Sequence, residues 1–130
     1  MNASRPHIGN IVIIDDDEPL REALGSLLKA AGFLAAGFPS AEEFLESADW
    51  RSTSCLILDV RLPGMSGVEL QRRLTEAGSA IPIIFITGHG DASLRDVLMS
   101  AGASGFLNKP VRRDALLNEI YAAFKKNPAN

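Results

Sequence analysis

The sequence predicts a doubly wound α/β fold in which five parallel strands take the order 2-1-3-4-5. Short continuous runs of apolar, often β-branched residues alternate with longer stretches of helical spacing, as expected for strands buried on both faces. Three helical stretches end on the same Ala-Gly pair, and glycine after a helix favours the left-handed conformation that stops it. Right-handed crossovers would then place helices on both faces of the sheet.

The strands are recognised from their apolar runs. Ile11–Ile14, Cys55–Leu58 and Ile83–Ile86 are the clearest, and Phe106-Leu107 marks a shorter fifth strand. The second strand, about Leu34–Phe38, contains an Ala-Ala-Gly segment with poor strand propensity. Since short strands of small residues suit the margin of a sheet, we place this strand at an edge.

Each predicted helix has an apolar stripe that would face the sheet. Ser40 and Ser66 precede two of these helices as N-caps. Ser40 is followed by the first-turn acids Glu42 and Glu43, and Ser66 forms a capping-box pattern with Glu69. The stripes, in chain order, are Leu20, Leu24, Leu27, Leu28 and Ala31; Ala41, Phe44, Leu45 and Ala48; Leu70, Leu74 and Ala77; Leu94, Val97, Leu98 and Ala101; and Leu116, Ile120 and Phe124.

Length and composition indicate one soluble domain. The chain has 130 residues and a formal net charge of −3, which gives no electrostatic case for direct binding of nucleic acid. We find no apolar stretch of membrane-spanning length and no signal peptide in the first ten residues. The single cysteine, Cys55, excludes an intrachain disulfide and fits a cytoplasmic location. We expect an N-terminal extension over residues 1–9, a domain over 10–126 and a tail over 127–130.

Polar residues follow the apolar runs at four strand ends. Asp15-Asp16 follow the first run, Asp59 the third, Thr87 the fourth and Lys109 the fifth. The carboxyl ends of parallel strands share one edge of a sheet, and the predicted strand order makes the first and third strands neighbours. The topology therefore predicts that acids separated in sequence lie side by side.

Each of these residues alone has an ordinary structural explanation. The acids before Pro19 could cap a helix, Asp59 could form a turn, and Lys109 could be a surface lysine. Together, Asp15, Asp16 and Asp59 would repel one another unless a divalent cation and a lysine offset their charge. Lys109 could pair with Asp59 in the resting state and with a phosphate afterwards. Carboxylate oxygens suit Mg²⁺, which retains several waters and binds substrate phosphates. The pattern indicates metal-assisted phosphoryl transfer onto a carboxylate.

Four motifs surround these residues: Ile14-Asp15-Asp16-Asp17-Glu18-Pro19, Leu58–Gly67, Thr87-Gly88-His89-Gly90-Asp91 and Lys109-Pro110. Taken together and in this order, they resemble those of the response-regulator receiver domains of two-component systems. The similarity runs from about Ile11 to Phe124 and implies a flavodoxin-like, CheY-like fold. The Thr-Gly-His-Gly-Asp stretch is most similar to the FixJ-like subgroup, whose members commonly carry a DNA-binding output domain.

The resemblance implies a role for each site residue. Asp59 would be the phosphoacceptor, receiving its phosphoryl group from a sensor histidine kinase or a phosphotransfer protein. Asp16, Asp59 and the Arg61 backbone carbonyl would ligate Mg²⁺ or Mn²⁺, with Asp15 acting mainly through water. Thr87 and Lys109 would bind the phosphoryl oxygens.

The same resemblance implies a conformational switch. Phosphorylation would draw Thr87 toward the phosphoryl group and let Phe106 turn inward, which would alter the surface of the fourth helix, fifth strand and fifth helix. That surface would control homodimerisation or an output partner that regulates transcription. Arg61 and His89 would tune dephosphorylation, and the Lys109-Pro110 peptide bond would be cis.

Two alternatives remain to be tested. A haloacid-dehalogenase-like phosphohydrolase would need a second acid two residues after the nucleophile, where this chain has Arg61, so the leaving group would lack a proton donor. A receiver-like interaction module that is never phosphorylated would not need the acids, Thr87 and Lys109 together. We therefore expect a phosphoacceptor and not an enzyme, with no output domain in this chain and no contact with nucleic acid or membrane.

Overall fold

The computed structural model describes residues 9–88 and 92–126, and it confirms the predicted sheet. All strand pairings are parallel, in the order β2-β1-β3-β4-β5, so the plain second strand does lie at an edge. The strands are β1 (Asn10–Ile14), β2 (Leu34–Phe38), β3 (Cys55–Asp59), β4 (Ile83–Thr87) and β5 (Gly105–Asn108). The expected tail and most of the expected N-terminal extension lie outside the described residues.

Within the described residues, five helices connect or follow the strands, and a 3₁₀ turn spans Trp50–Ser52. Ser66 Oγ accepts a hydrogen bond from the Glu69 N–H at 3.1 Å, as predicted for the start of the third helix. The glycines of the three Ala-Gly pairs have φ angles of 99°, 77° and 107°, which confirms them as helix stops. The helices are α1 (Glu18–Ala30), α2 (Ala41–Glu46), α3 (Gly67–Glu76), α4 (Ala92–Ser100) and α5 (Arg113–Lys126).

Alternation along the strands divides the core into two apolar clusters, one on each face of the sheet. The first face packs against α1 and α5, and the second against α2, α3 and α4. Strand residues of the first cluster include Ile11, Ile13, Ile57 and Ile84; those of the second include Val12, Leu56, Leu58 and Phe85. Both faces are therefore covered, and the carboxyl ends of the strands form the edge where the loops meet.

Four expected stripe residues lie outside the core. Two of them, Ala77 and Ala101, are exposed because they follow the last residues of α3 and α4, in the Ala-Gly pairs that stop these helices. The prediction for Ala48 is wrong because α2 ends at Glu46, where the extended backbone of Ser47 breaks the helix, and Ala48 is exposed. Val97 does belong to α4 but is 61% exposed, while its neighbour Leu98 is fully buried. Adjacent side chains on a helix point in different directions, so Val97 faces solvent where Leu98 faces the core.

No helix in the described part of the chain is both long enough and apolar enough to span a bilayer.

Gly67 sits where α3 begins against the end of β3. A Cβ at this position would contact the Asp59 carbonyl oxygen and lie 3.1 Å from Val60 Cα. Because both are backbone atoms, neither can rotate away. We expect Gly67→Ala to lower the free energy of unfolding by about 1–3 kcal/mol in urea denaturation, the range for overpacking.

A matched control is available in α1. A Cβ at Gly25 would meet Ile13 Cδ1 at 4.0 Å, an ordinary contact, so Gly25→Ala should raise the free energy of unfolding by about 0.5–1 kcal/mol. Equal stability of the two variants would show that Gly67 is not needed for the close approach of α3 to Asp59.

Candidate functional site

The ends of β1 and β3 bring three carboxylates together. Ile14 pairs with Leu58 in the sheet, so the residues that follow, Asp15 and Asp59, lie on neighbouring strand ends. Asp15 is fully buried, Asp59 is 4% exposed, and Asp16 is exposed. One carboxylate oxygen from each of the three lies within 4.8 Å of the others. The predicted acidic cluster is present.

Local hydrogen bonds orient two of these carboxylates. Asp59 Oδ1 accepts the N–H of Arg61 at 3.1 Å, and Asp15 Oδ1 accepts the N–H of Asp17 at 2.9 Å. Asp17 itself caps α1 by accepting the Leu20 N–H at 3.2 Å. In the run Asp15-Asp16-Asp17, the third residue therefore caps the helix, and the first two contribute to the carboxylate cluster.

Lys109 enters the cluster from β5. Its Nζ lies 2.9 Å from Asp15 Oδ2 and 3.2 Å from Asp59 Oδ2, so the expected pairing with Asp59 is present and a second pairing accompanies it. Its backbone N–H donates to the Thr87 carbonyl at 2.8 Å, and the Lys109-Pro110 peptide bond is cis. The ammonium group is thus held between two buried acids.

The electrostatics of the cluster disfavour a charge on Asp59. Burial raises the pKa of its carboxyl, and the Asp15 charge adds to this; the Arg61 N–H and Lys109 offset them only in part. Burial alone would lower the pKa of Lys109, but its contacts with Asp15 and Asp59 outweigh burial and raise it. Lys109 therefore stays protonated. Because burial and Asp15 destabilise the charged form of Asp59, a further positive charge beside this carboxylate would stabilise it.

The residues present fit a hard divalent cation. Asp15 Oδ2 is buried, and the partner it has among the described residues, the Lys109 ammonium at 2.9 Å, is shared with Asp59. The donor set consists of carboxylate oxygens, and the exposure of Asp16 leaves one side open to solvent. Oxygen donors with room for retained waters are what Mg²⁺ prefers.

Thr87 and Phe106 occupy neighbouring strands beside the cluster. Thr87 ends β4 and is fully buried. Phe106 of β5 pairs with Phe85 of β4. Since side chains alternate along a strand, Thr87 and Phe85 point to the same face, which is the face where half-buried Phe106 packs. His89 lies outside the described residues, and Arg61 is exposed directly after β3.

Two site contacts were not foreseen from the sequence. Arg21 of α1 donates from its guanidinium to the Asp15 carbonyl at 2.7 Å. Glu42 of α2 accepts the N–H of Met65, in the loop after Asp59, at 2.8 Å. The acidic first turn of α2 was visible in the sequence, but only as a feature of the helix start; nothing local linked it to a loop 23 residues away.

Comparison with known proteins shows which family shares this fold. Residues 11–121 match the response regulator receiver domain family. The response regulator TodT of Pseudomonas putida is 48% identical over 118 residues, covering 91% of this chain and 52% of TodT. The transcriptional regulatory protein FixJ of Bradyrhizobium diazoefficiens is 41% identical over 118 residues, covering 91% and 58%. The crystal structure of FixJ-N matches with a TM-score of 0.83 at 36% identity, covering 96% and 100%. This chain spans about half the length of the two full-length relatives.

Proposed function

Because this chain belongs to the response regulator receiver domain family, which serves phosphorylation-dependent signalling, we propose that Asp59 accepts a phosphoryl group from a sensor histidine kinase or a phosphotransfer protein. The observation that carries the proposal is the contact of Lys109 with both Asp15 and Asp59, at 2.9 and 3.2 Å, in a cluster that also includes the exposed Asp16. This arrangement combines a nucleophilic carboxylate with the charges that phosphoryl transfer requires.

The transfer forms one bond and breaks another. An Asp59 carboxylate oxygen bonds to phosphorus as the phosphorus–nitrogen bond of the donor phosphohistidine breaks, and the imidazole departs with the electron pair. Asp16, Asp59 and the Arg61 carbonyl would hold Mg²⁺ or Mn²⁺, with Asp15 acting mainly through water. When bound, the cation supplies positive charge that offsets the carboxylates and phosphoryl oxygens. The Lys109 ammonium and the Thr87 hydroxyl bind the transferred oxygens.

The signal follows from the added charge. The acyl phosphate draws the Thr87 hydroxyl toward it, and Phe106 moves into the space that Thr87 leaves. The resulting population shift changes the surface formed by α4, β5 and α5, which controls homodimerisation or a transcriptional output partner. Arg61 and His89 tune the rate of dephosphorylation.

We extend the proposal to the organisation and setting of the domain. Residues 10–126 form the receiver, preceded by an extension over 1–9 and followed by a tail over 127–130. The cytoplasm suits both the proposed kinase partner and Cys55, whose pKa burial raises to about 12 so that the thiol is inert. Transcriptional control as the output is supported by the name of the relative FixJ, a transcriptional regulatory protein.

Incubation of the wild-type protein with acetyl phosphate and Mg²⁺ distinguishes this function from that of a phosphohydrolase. We expect stoichiometric labelling and no sustained release of p-nitrophenol from p-nitrophenyl phosphate, because Arg61 stands where such enzymes carry a second acid. The assay measures bound phosphoryl groups and product over many turnovers. Sustained turnover would contradict the proposal, and the absence of any labelling would favour a receiver-like interaction module.

A further inference from the structure

The loop that joins β3 to α3 carries a predicted metal ligand, the Arg61 carbonyl. The backbone hydrogen bonds that hold this loop lie mainly at its two ends. The Val60 N–H donates to the Ile86 carbonyl at 3.0 Å, and the Gly67 N–H donates to the Val60 carbonyl at 3.1 Å. Between these points Leu62 is buried, whereas Pro63 and Gly64 are exposed. The middle of the loop therefore depends on contacts from outside it.

Glu42 provides such a contact. Its Oε2 accepts the N–H of Met65 at 2.8 Å, which lowers the pKa of the Glu42 carboxyl. Gly64 has a φ of +75°, and a Cβ there would contact Glu42 Oε2 and lie 3.3 Å from its Cδ. The carboxylate thus occupies the space that a side chain at residue 64 would take, so the loop backbone is shaped to receive it.

The main chain of Glu42 is itself firmly placed. Ser40 caps α2 by accepting the Glu43 N–H at 3.1 Å, and Ala41 and Phe44 on either side of the glutamates are fully buried. An anchored helix start therefore presents a carboxylate to the loop. Glu43, exposed and adjacent on the same turn, is a natural control of identical chemistry.

We propose that Glu42 is a positioning residue for phosphorylation, holding the loop after Asp59 in the conformation that presents the Arg61 carbonyl to Mg²⁺. The role rests on the proposed function of Asp59. Glu42 touches neither the phosphoryl group nor the metal; it acts through Gly64 and Met65, because a loop restrained near its far end has fewer conformations in which Arg61 turns away. Mutation of a group that orients a metal ligand typically costs about 10–100-fold in metal affinity or activity. Because Glu42 would act only through the metal ligand, we expect its loss to weaken Mg²⁺ binding and to leave the chemistry at saturating Mg²⁺ intact.

The test compares Glu42→Ala, Glu42→Gln and Glu43→Ala. In metal-free protein, amide exchange of Met65 should accelerate in Glu42→Ala, while exchange in the central strands stays unchanged. The Mg²⁺ concentration for half-saturation, followed by NMR shifts of loop amides, should rise about tenfold, the lower end for an outer-shell partner. Glu42→Gln keeps an acceptor for the Met65 N–H, so its Mg²⁺ affinity and its Met65 exchange rate should lie between those of Glu42→Ala and the wild type. Both quantities should be unchanged in Glu43→Ala. Labelling of Glu42→Ala should recover at saturating Mg²⁺.

The outcomes separate this role from the proposed function. If the wild type is labelled and Glu42→Ala keeps wild-type Mg²⁺ affinity, the positioning role is overturned while the phosphoacceptor role stands. If exchange accelerates throughout the sheet as well, Glu42 only stabilises the fold and the positioning role is again overturned. If the wild type takes no label, the proposed function fails and this role fails with it.

Discussion

Replacing Asp59 with asparagine is expected to abolish labelling by acetyl phosphate and Mg²⁺ while preserving the fold. An amide cannot form the acyl phosphate, but its oxygen can still accept the Arg61 N–H that Asp59 accepts at 3.1 Å. Phosphoryl incorporation and circular dichroism measure the two effects. Asp17→Asn is the matched control, since asparagine also caps helices well and Asp17 serves α1. Retained labelling of the Asp59→Asn protein would contradict the assignment.

The same substitution should change how stability depends on pH. In the fold the pKa of Asp59 is raised above its ordinary value of 3.8. Over the pH interval between these two pKa values, the folded state binds more protons than the unfolded state. The free energy of unfolding of metal-free wild type therefore falls as pH rises through the interval, by about 1.4 kcal/mol per unit of pKa difference. Asp59→Asn lacks this fall and should be the more stable protein at neutral pH.

Urea denaturation over a pH series measures this difference. Added Mg²⁺ should stabilise the wild type more than Asp59→Asn, because only the wild type retains all three carboxylates. Parallel pH profiles for the two proteins, with equal responses to Mg²⁺, would show that the Asp59 charge is not disfavoured in the fold.

Lys109→Gln is expected to have the second largest effect. Its ammonium lies between Asp15 and Asp59, so removing it leaves two buried carboxylates without their protein cation. Metal-free stability at neutral pH should fall by roughly 3 kcal/mol, the lower end for breaking a buried ion pair, since Lys109 keeps 24% of its side-chain exposure. The initial labelling rate should fall about 100-fold, as when a donor to a developing anion is lost.

Mg²⁺ binding separates this effect from loss of the metal. Without the competing ammonium, the cluster is more negative, so the Mg²⁺ concentration for half-saturation should stay the same or fall. Lys125→Gln, at an exposed position on α5, is the control and should match wild type in all three measurements. A labelling rate in Lys109→Gln equal to that of the wild type would exclude Lys109 from phosphoryl transfer.

Much of the fold could be predicted because it depends on local pattern. The runs Ile11–Ile14, Cys55–Leu58 and Ile83–Ile86 are apolar throughout, which suits strands covered on both faces, and each lies within an observed strand. The Ala-Gly stops reflect a conformational need of single residues. Once the strand order is assumed, the approach of Asp15 to Asp59 follows from topology alone.

The remainder depends on contacts between distant residues. Lys109 was expected beside Asp59, but its shorter contact is with Asp15. That contact depends on the direction in which the Lys109 side chain, at the end of β5, crosses the edge of the sheet. Glu42 looked like a helix-start acid because periodicity describes one segment at a time. Ala48 fitted the helical spacing of α2, yet the extended backbone at Ser47 ended the helix before it.

The most direct test of the central claim locates the phosphoryl group. Wild-type protein labelled with acetyl phosphate and Mg²⁺ is reduced with borohydride, which converts an aspartyl phosphate to homoserine, and its peptides are sequenced by mass spectrometry. The phosphoacceptor assignment predicts homoserine in place of Asp59 and at no other aspartate. Homoserine at Asp15 or Asp16 instead, or at no position in a protein that carries label, would contradict it.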